Sequence, residues 1–140
     1  MKLKKTGALD LVKLVSRVLD EKKADDITVL DVSAQSSITD YLVIATATSE
    51  PHLRALRIEL EKLLDLKKVR LVGMETAQDS GWLVIDSFDV MIHLFLAEPR
   101  ERYGLERLWR DATQVPLKKL IAARVQKPVT QAVRTSKARR

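Results

Sequence analysis

The sequence predicts an α+β fold in two layers, with a mixed β-sheet of about five strands covered by helices. Three observations support this prediction. Apolar residues recur at helical spacing in two segments, short apolar runs typical of buried strands lie between and after them, and the last two runs are joined by a tight connection. The predicted order is α-β-β-α-β-β-β-α. Because it combines a crossover helix with a hairpin, a sheet with parallel and antiparallel strands is the natural arrangement.

The first predicted elements are a helix and two strands. Residues 7 to 22 form an amphipathic pattern with apolar residues at helical spacing, namely Leu11, Val15, Val18 and Leu19. The segments "ITVLDVS" (27–33) and "YLVIATA" (41–47) are predicted as strands, and their apolar character indicates that both are largely buried. The polar segment "AQSSITD" between them is predicted as a loop.

A second helix follows the second strand. Ser49 is a suitable N-cap, Glu50 favours the positive end of the helix dipole, and Pro51 fits the first turn. An apolar stripe then continues to about Leu66 through Leu53, Leu56, Leu60, Leu63 and Leu64. The next apolar run, "VRLVG" (69–73), is predicted as a third strand, and the polar "METAQDS" as a loop.

The segment from residue 81 to residue 96 is predicted as an antiparallel hairpin. Its strands are "GWLVIDS" and "DVMIHLFL", joined around Ser87 and Phe88. A final helix is predicted from Pro99 to about Asp111, with Pro116 as a helix breaker. The segment "VPLKKLIAARV" is compatible with one further short helix.

The composition excludes several classes of protein and site. There is no cysteine, so neither a disulfide framework nor a thiolate zinc site can form. The N-terminal segment has no continuous apolar core of the kind found in secretory signals, and no segment approaches the ~20 apolar residues of a membrane span. We therefore expect a cytoplasmic protein without membrane contact, or a processed protein of an organelle matrix.

The net charge of +6 is distributed unevenly along the chain. Residues 117 to 140 carry eight Lys and Arg and no acid, whereas residues 24 to 99 hold 6 basic and 13 acidic side chains, a balance of −7. We predict an acidic domain over residues 1–116 and a flexible basic tail over residues 117–140. An acidic domain suits a basic protein partner. The tail is either a nucleic-acid contact or a disordered solubilising segment.

Asp86 and Asp89 have three alternative roles. Paired carboxylates can hold magnesium or act as acid and base, but these two are three residues apart across a turn, and no glycine-rich phosphate-binding loop accompanies them. They can instead bond the backbone of the turn, or bind a partner. The two histidines, His52 and His93, lie on different elements and have no third ligand at a recognisable spacing, so no metal site is predicted.

The first strand of the hairpin has two different faces. Trp82, Val84 and Asp86 share one face, and the aliphatic Leu83 and Ile85 share the other. The aliphatic face should contact the helices, so the mixed face is a candidate exposed surface. Trp82 is either a core residue at the edge of the sheet or an interface hot spot, since tryptophan is enriched in both.

Three motifs resemble the ribosomal silencing factor family, also called the Iojap or YbeB-like family. "DITVLDVSAQSSITDYLVIATATS" is similar to its first two strands, with Ser-x-x-x-Asp-Tyr followed by an apolar run that usually ends in Thr-Gly-Thr-Ser. "GWLVIDSFDVMIHLF" resembles its central hairpin, and "EPRERYGLERLWRDA" resembles its closing helix with Tyr-x-Leu-Glu-x-Leu-Trp. The resemblance covers about residues 7 to 113 and leaves the basic tail outside.

Two positions depart from the pattern of that family. Ala47 replaces the glycine of Thr-Gly-Thr-Ser, and Phe88 replaces the glycine of the Asp-x-Gly-Asp turn. Because glycine permits positive φ, phenylalanine predicts a different turn and a different neighbouring surface.

The resemblance implies a binding function without chemistry. It implies a nucleotidyltransferase-like fold without the active site, no cofactor, and binding to ribosomal protein uL14 of the large ribosomal subunit. Binding would block an intersubunit bridge, prevent association of the small and large subunits and repress translation. The resemblance also implies homodimers in isolation. The residues expected to bind uL14 share the mixed face of the hairpin or border it: Trp82, Val84, Asp86, Asp89, Asp40, Tyr41, Glu75 and His93.

Two other functions remain open from the sequence. The first is an RNA-binding ribosome-assembly factor that acts through the basic tail and contacts ribosomal RNA. The second is a nucleotidyltransferase, which magnesium-dependent nucleotide binding would distinguish.

Overall fold

The computed structural model describes residues 5–69, 73–76 and 80–125. Two long helices and five of the strands precede residue 97: α1 (Lys5–Glu21), β1 (Asp25–Asp31), β2 (Tyr41–Ala47), α2 (Glu50–Leu66), β3 (Gly73–Thr76), β4 (Trp82–Asp86) and β5 (Val90–Leu96). Shorter elements follow: α3 (Ala97–Tyr103), α4 (Leu105–Leu108), β6 (Thr113–Val115) and α5 (Leu117–Val125).

The strands form one mixed sheet in the order β3-β4-β5-β2-β1-β6. The central pair β2 and β5 is parallel, and the other neighbouring pairs are antiparallel. The predicted α+β fold class is therefore confirmed. The sixth strand, β6, was not predicted, because its three residues are too few to show a periodic pattern.

The main core lies between one face of the sheet and helices α1 and α2. Four leucines of the α2 stripe are buried as their spacing predicted and Leu63 is half-buried; they share the main core with strand residues such as Val43, Ile85 and Ile92. The start of α2 is also as predicted, since Ser49 Oγ accepts a hydrogen bond from the backbone N–H of His52 at 3.2 Å. Strand alternation places the remaining apolar residues on the opposite face.

A smaller apolar cluster covers part of this second face. Its buried members come from three strands and the loop that follows β1, namely Leu30, Val32, Leu42, Ile44 and Phe95. Leu105, Trp109 and Ala112 pack over it from the segment after β5. This segment leaves the face of β4 only partly covered, since Trp82, Val84 and Asp86 are half-buried.

Two predicted elements differ in the structure. The single helix from Pro99 to Asp111 is wrong, because Gly104 adopts a left-handed conformation (φ 59°) that ends α3 before the short α4 begins. The described part of the third strand is Gly73–Thr76, so the first three residues of the predicted polar loop are strand and not loop. Residues 70–72 of the predicted strand lie outside the described residues.

The C-terminal segment begins as part of the folded body. Residues 117–125, the first nine of the predicted tail, form α5, and Leu120 is buried in the main core. Residues 126–140 lie outside the described part of the chain.

Candidate functional site

The two faces of β4 differ as the sequence predicted. Leu83 and Ile85 are buried in the main core, whereas Trp82, Val84 and Asp86 are half-buried on the opposite face. We call these three residues the mixed face. In β5, the residues opposite them are Phe95, His93 and Met91 respectively.

The indole of Trp82 is held by three side chains. Its ring centroid lies 5.1 Å from that of Phe95 and 4.6 Å from that of Tyr103, and its Nε1–H donates to Nδ1 of His93 at 3.1 Å. Such ring pairs add to the stabilisation that burial alone provides. Trp82 therefore belongs to the edge of the smaller apolar cluster and also presents part of its surface to solvent.

His93 is a fixed acceptor beneath this tryptophan. The side chain is buried, and desolvation by burial lowers its pKa from 6.5 to about 4. The imidazole is therefore neutral at neutral pH, with its proton on Nε2, because Nδ1 accepts from Trp82. Among the described residues, no group of three or more His, Cys, Asp and Glu side chains could hold a metal ion.

The hairpin turn keeps the conformation that a glycine would allow. Phe88 has a φ of 68°, so the expectation that phenylalanine would produce a different turn was wrong. Two hydrogen bonds support this geometry: Phe88 N–H donates to Asp86 Oδ1 at 3.1 Å, and Ser87 Oγ–H donates to the carbonyl of Val90 at 2.8 Å. Asp86 thus has the structural role considered for it, which leaves a second role in binding open.

Three of the residues predicted to bind a partner lie beneath the surface. Asp89, with 1% of its surface exposed, is buried together with Tyr41 and His93. The carbonyl of Asp89 accepts from the backbone N–H groups of Asp40 and Tyr41, both at 3.0 Å, and so joins the hairpin turn to the loop between β1 and β2. In this conformation these buried side chains can affect a partner only through their neighbours.

Asp40 lies at the hairpin turn, whereas Glu75 lies beside the mixed face. Asp40 is half-buried at the start of β2, in the loop that meets the hairpin turn. The backbone of Glu75 pairs with Val84 across β3 and β4, next to the mixed face, and its side chain is not among those described.

Sequence reasoning missed a buried arginine that holds the covering segment on the sheet. Arg100 is 6% exposed. Its Nη1 donates to the carbonyl of Asp26 at 2.7 Å and to Thr46 Oγ1 at 2.8 Å, and its Nη2 donates to Thr28 Oγ1 at 3.0 Å. Nε and Nη2 also bond Glu106 Oε2, at 3.0 and 2.8 Å.

The Arg100 network connects α3, α4 and the sheet at an irregular point of β1. The register between β1 and β2 shifts between Asp25 and Thr28, and Asp26 there has a φ of 51°. By fixing α3, Arg100 also fixes Tyr103, which packs on Trp82. No periodic signal identifies such a residue, because α3 is short and carries charges on several sides. A cleft of about 490 Å³ opens beside this network.

Within the described residues, no helix has the length and apolar character needed to cross a membrane.

Comparisons with known proteins identify a family and several relatives of this chain. The family model described as "Ribosomal silencing factor during starvation" matches residues 5–140, and so includes the basic segment that the motifs had left outside. A ribosomal silencing factor from Halalkalibacterium halodurans is 32% identical over 113 residues, which cover 81% of this chain and 97% of that protein.

A mouse protein and a solved bacterial structure are also similar to this chain. The mouse protein, named "Mitochondrial assembly of ribosomal large subunit protein 1", is 40% identical over 103 residues, which cover 71% of this chain and 45% of that protein. A crystal structure of a protein from Chromobacterium violaceum is 31% identical, with a TM-score of 0.69, and the match covers 76% of this chain and 88% of that one. From the family match and these identities, the chain belongs to the ribosomal silencing factor family.

Proposed function

We propose that this protein binds ribosomal protein uL14 on the large ribosomal subunit, blocks an intersubunit bridge and prevents the two subunits from associating. Translation is repressed as a result. The observation that carries the proposal is the family match over residues 5–140. A ribosome-bound role at the large subunit is also consistent with the name of the mouse relative. The mechanism is steric, so it uses neither a catalytic residue nor a cofactor.

The mixed face supplies the chemistry expected of a protein interface. Trp82 offers a large, rigid aromatic surface whose position is set by Phe95, Tyr103 and His93. An aromatic anchor that is already ordered loses little conformational entropy on binding, and tryptophan is strongly enriched among hot spots. Val84 adds apolar area and Asp86 adds a carboxylate at the same face.

The charge of the folded body favours a basic partner. Residues 24–99 have a balance of −7, and ribosomal proteins that contact RNA are commonly basic. Asp86 and Asp40 are the half-buried carboxylates nearest the hairpin turn, so we assign them to direct contact with uL14. Glu75 is assigned to the same border. The buried Asp89, Tyr41 and His93 then act by fixing the backbone and the indole beneath the contact surface.

The proposal also includes the basic tail, the cellular location and the oligomeric state. The basic segment beyond α5 assists binding through phosphates of ribosomal RNA, and such contacts weaken with salt. The protein acts in the cytoplasm and forms a homodimer when it is not on the ribosome.

Two measurements test the proposed function. Sucrose-gradient profiles at saturating protein should show free subunits increasing at the expense of whole ribosomes, and calorimetry should show binding to isolated uL14. Trp82→Ala should weaken both effects, whereas Leu66→Gln, at an exposed position on the end of α2, should leave them unchanged. An unchanged ribosome profile at saturating protein would contradict the proposal.

The second candidate is an RNA-binding ribosome-assembly factor that acts through the basic tail. The word "assembly" in the name of the mouse relative and the eight basic residues of segment 117–140 favour it. Deleting residues 126–140 separates the candidates. Under the uL14 proposal, the deletion reduces binding to whole subunits in a salt-dependent way and leaves binding to isolated uL14 intact. The alternative is favoured if the deletion abolishes binding to whole subunits and the full chain shows no measurable binding to isolated uL14.

A further inference from the structure

The hairpin turn presents an aromatic side chain in an unfavourable backbone conformation. Phe88 is 36% exposed and has a φ of 68°. Left-handed geometry is costly for most residues that have a Cβ. Glycine, which has none, and asparagine tolerate it. The hydrogen bond from Phe88 N–H to Asp86 Oδ1 would form with any residue except proline at this position. The turn itself therefore does not require an aromatic ring.

A second exposed apolar residue lies in the loop that joins this turn. Ile38 is 72% exposed. Its N–H donates to Ser36 Oγ at 3.1 Å, so its backbone is ordered locally. Two residues further on, Asp40 N–H donates to the carbonyl of Asp89 at 3.0 Å, which ties this loop to the hairpin turn. Ile38 and Phe88 therefore belong to one end of the sheet.

We infer that this end of the sheet is a second part of the binding surface, in which Phe88 and Ile38 insert into an apolar depression bordered by basic groups of uL14. We call Ile38, Asp40, Asp86 and Phe88 the hairpin tip. This inference rests on the proposed function and adds the residues that would make this chain's contact specific.

Two observations favour the same basic protein as the occupant. The first is continuity, since Asp86 belongs to both the mixed face and the hairpin tip. The second is charge complementarity, since Asp40 and Asp86 accompany the two apolar side chains within a region whose balance is −7. An apolar centre with charges at its rim is the usual composition of a protein interface, whereas a nucleic-acid surface would repel these carboxylates.

The test uses two substitutions that suit the left-handed turn. Phe88→Asn and Phe88→Gly remove the ring while allowing the same φ, so the melting temperature measured by circular dichroism should stay equal or rise. Calorimetry with isolated uL14 should show an affinity about tenfold lower for both variants, since truncating an aromatic anchor typically has an effect of this size. Ile38→Asn should lower the affinity severalfold. Leu66→Asn is the control, because Leu66 is 74% exposed but lies at the end of α2.

The outcomes distinguish this inference from the proposed function. If the unmodified chain binds uL14 and both Phe88 variants bind equally well, the inference is wrong and the proposed function stands. If the unmodified chain does not bind uL14, the proposed function itself fails. An affinity loss in Phe88→Asn that is absent in Phe88→Gly would assign the effect to the asparagine and overturn the role of the ring.

Discussion

Arg100 is predicted to be the most costly single charged residue to remove from the described part of the chain. Its guanidinium is buried, and it bonds the carbonyl of Asp26, the hydroxyls of Thr28 and Thr46, and the carboxylate of Glu106. Arg100→Ala removes all of these bonds at once. It also detaches α3 from the irregular point of β1.

The stability lost in Arg100→Ala depends on which partners of Arg100 can form a hydrogen bond with water instead. The side chain of Glu106 is 37% exposed and that of Asp26 is 75% exposed, so both carboxylates rehydrate and their ion pairs contribute little. The buried Thr46 hydroxyl loses a charge-assisted bond that water replaces poorly, and the Asp26 carbonyl loses one that is partly buried. At about 1.5–3 kcal/mol for each bond to a charged group, less the relieved desolvation of the guanidinium, we expect a loss of about 3 kcal/mol.

The assay is urea unfolding followed by circular dichroism, with Arg102→Ala as the matched control. Arg102 lies in the same helix and pairs with Glu98, but both side chains are largely exposed, so its removal should cost about 0.5 kcal/mol or less. Arg100→Lys should recover only part of the loss, because an ammonium cannot reproduce the planar fork of donors. In thermal melting, Arg100→Ala should lower the midpoint by roughly 10 °C. Equal stabilities of Arg100→Ala and Arg102→Ala would refute the assignment of Arg100 as the connection between α3 and the sheet.

Three further predictions concern buried polar groups. Trp82→Phe keeps an aromatic ring against its neighbours but removes the hydrogen bond from Nε1–H to His93, so the free energy of unfolding should fall by about 1–2 kcal/mol. Equal stability of the variant and the unmodified chain would mean that this bond does not stabilise the fold. Ser16→Ala should raise the free energy of unfolding by about 1 kcal/mol, because the buried Ser16 hydroxyl has no hydrogen-bond partner among the described residues and alanine favours α1; a destabilised variant would contradict this. The pKa of His93 is lowered from 6.5 to about 4, so the unfolded chain binds the proton more readily and stability falls as the pH drops below 6.5. The His93 contribution to this loss should be about 2 kcal/mol between pH 7 and pH 5, and it should vanish in His93→Gln; a wild-type pH profile in that variant would refute it.

The part of the fold that the sequence predicted is the part governed by periodic burial. The leucine stripe of α2 and the alternation in β4 each repeat often enough to identify the buried side, and both are confirmed. β6 has three residues and β3 has four, so neither offers a comparable pattern. The end of α3 at Gly104 was not predicted, because a single glycine in a helical pattern does not by itself indicate a left-handed conformation.

The candidate site was predictable to the same extent. Alternation placed Trp82, Val84 and Asp86 on the half-buried face, because strand geometry alone determines that relation. The burial of Asp89 was not predictable, since it depends on the docking of the β1–β2 loop against the hairpin turn. Nor was the Arg100 network, whose members are separated by up to 74 residues along the chain.

Asp86 offers the cleanest separation of folding from binding at this site. Trp82→Ala cannot provide it, because Trp82 packs on Phe95 and Tyr103 and its removal lowers stability and affinity together. Asp86→Asn keeps an Oδ1 that accepts from Phe88 N–H, so the turn and the free energy of unfolding should change by less than about 0.5 kcal/mol. The substitution removes the charge with almost no change of shape, and it replaces one carboxylate oxygen by an amide N–H donor. If Asp86 contacts basic groups of uL14, affinity at low salt should fall about threefold, mainly through slower association, and the difference should shrink toward ~0.5 M salt as screening removes the attraction. An affinity difference that persists at high salt would mean that Asp86 acts through a direct hydrogen bond and not through its charge, and no difference at any salt concentration would remove Asp86 from the binding surface.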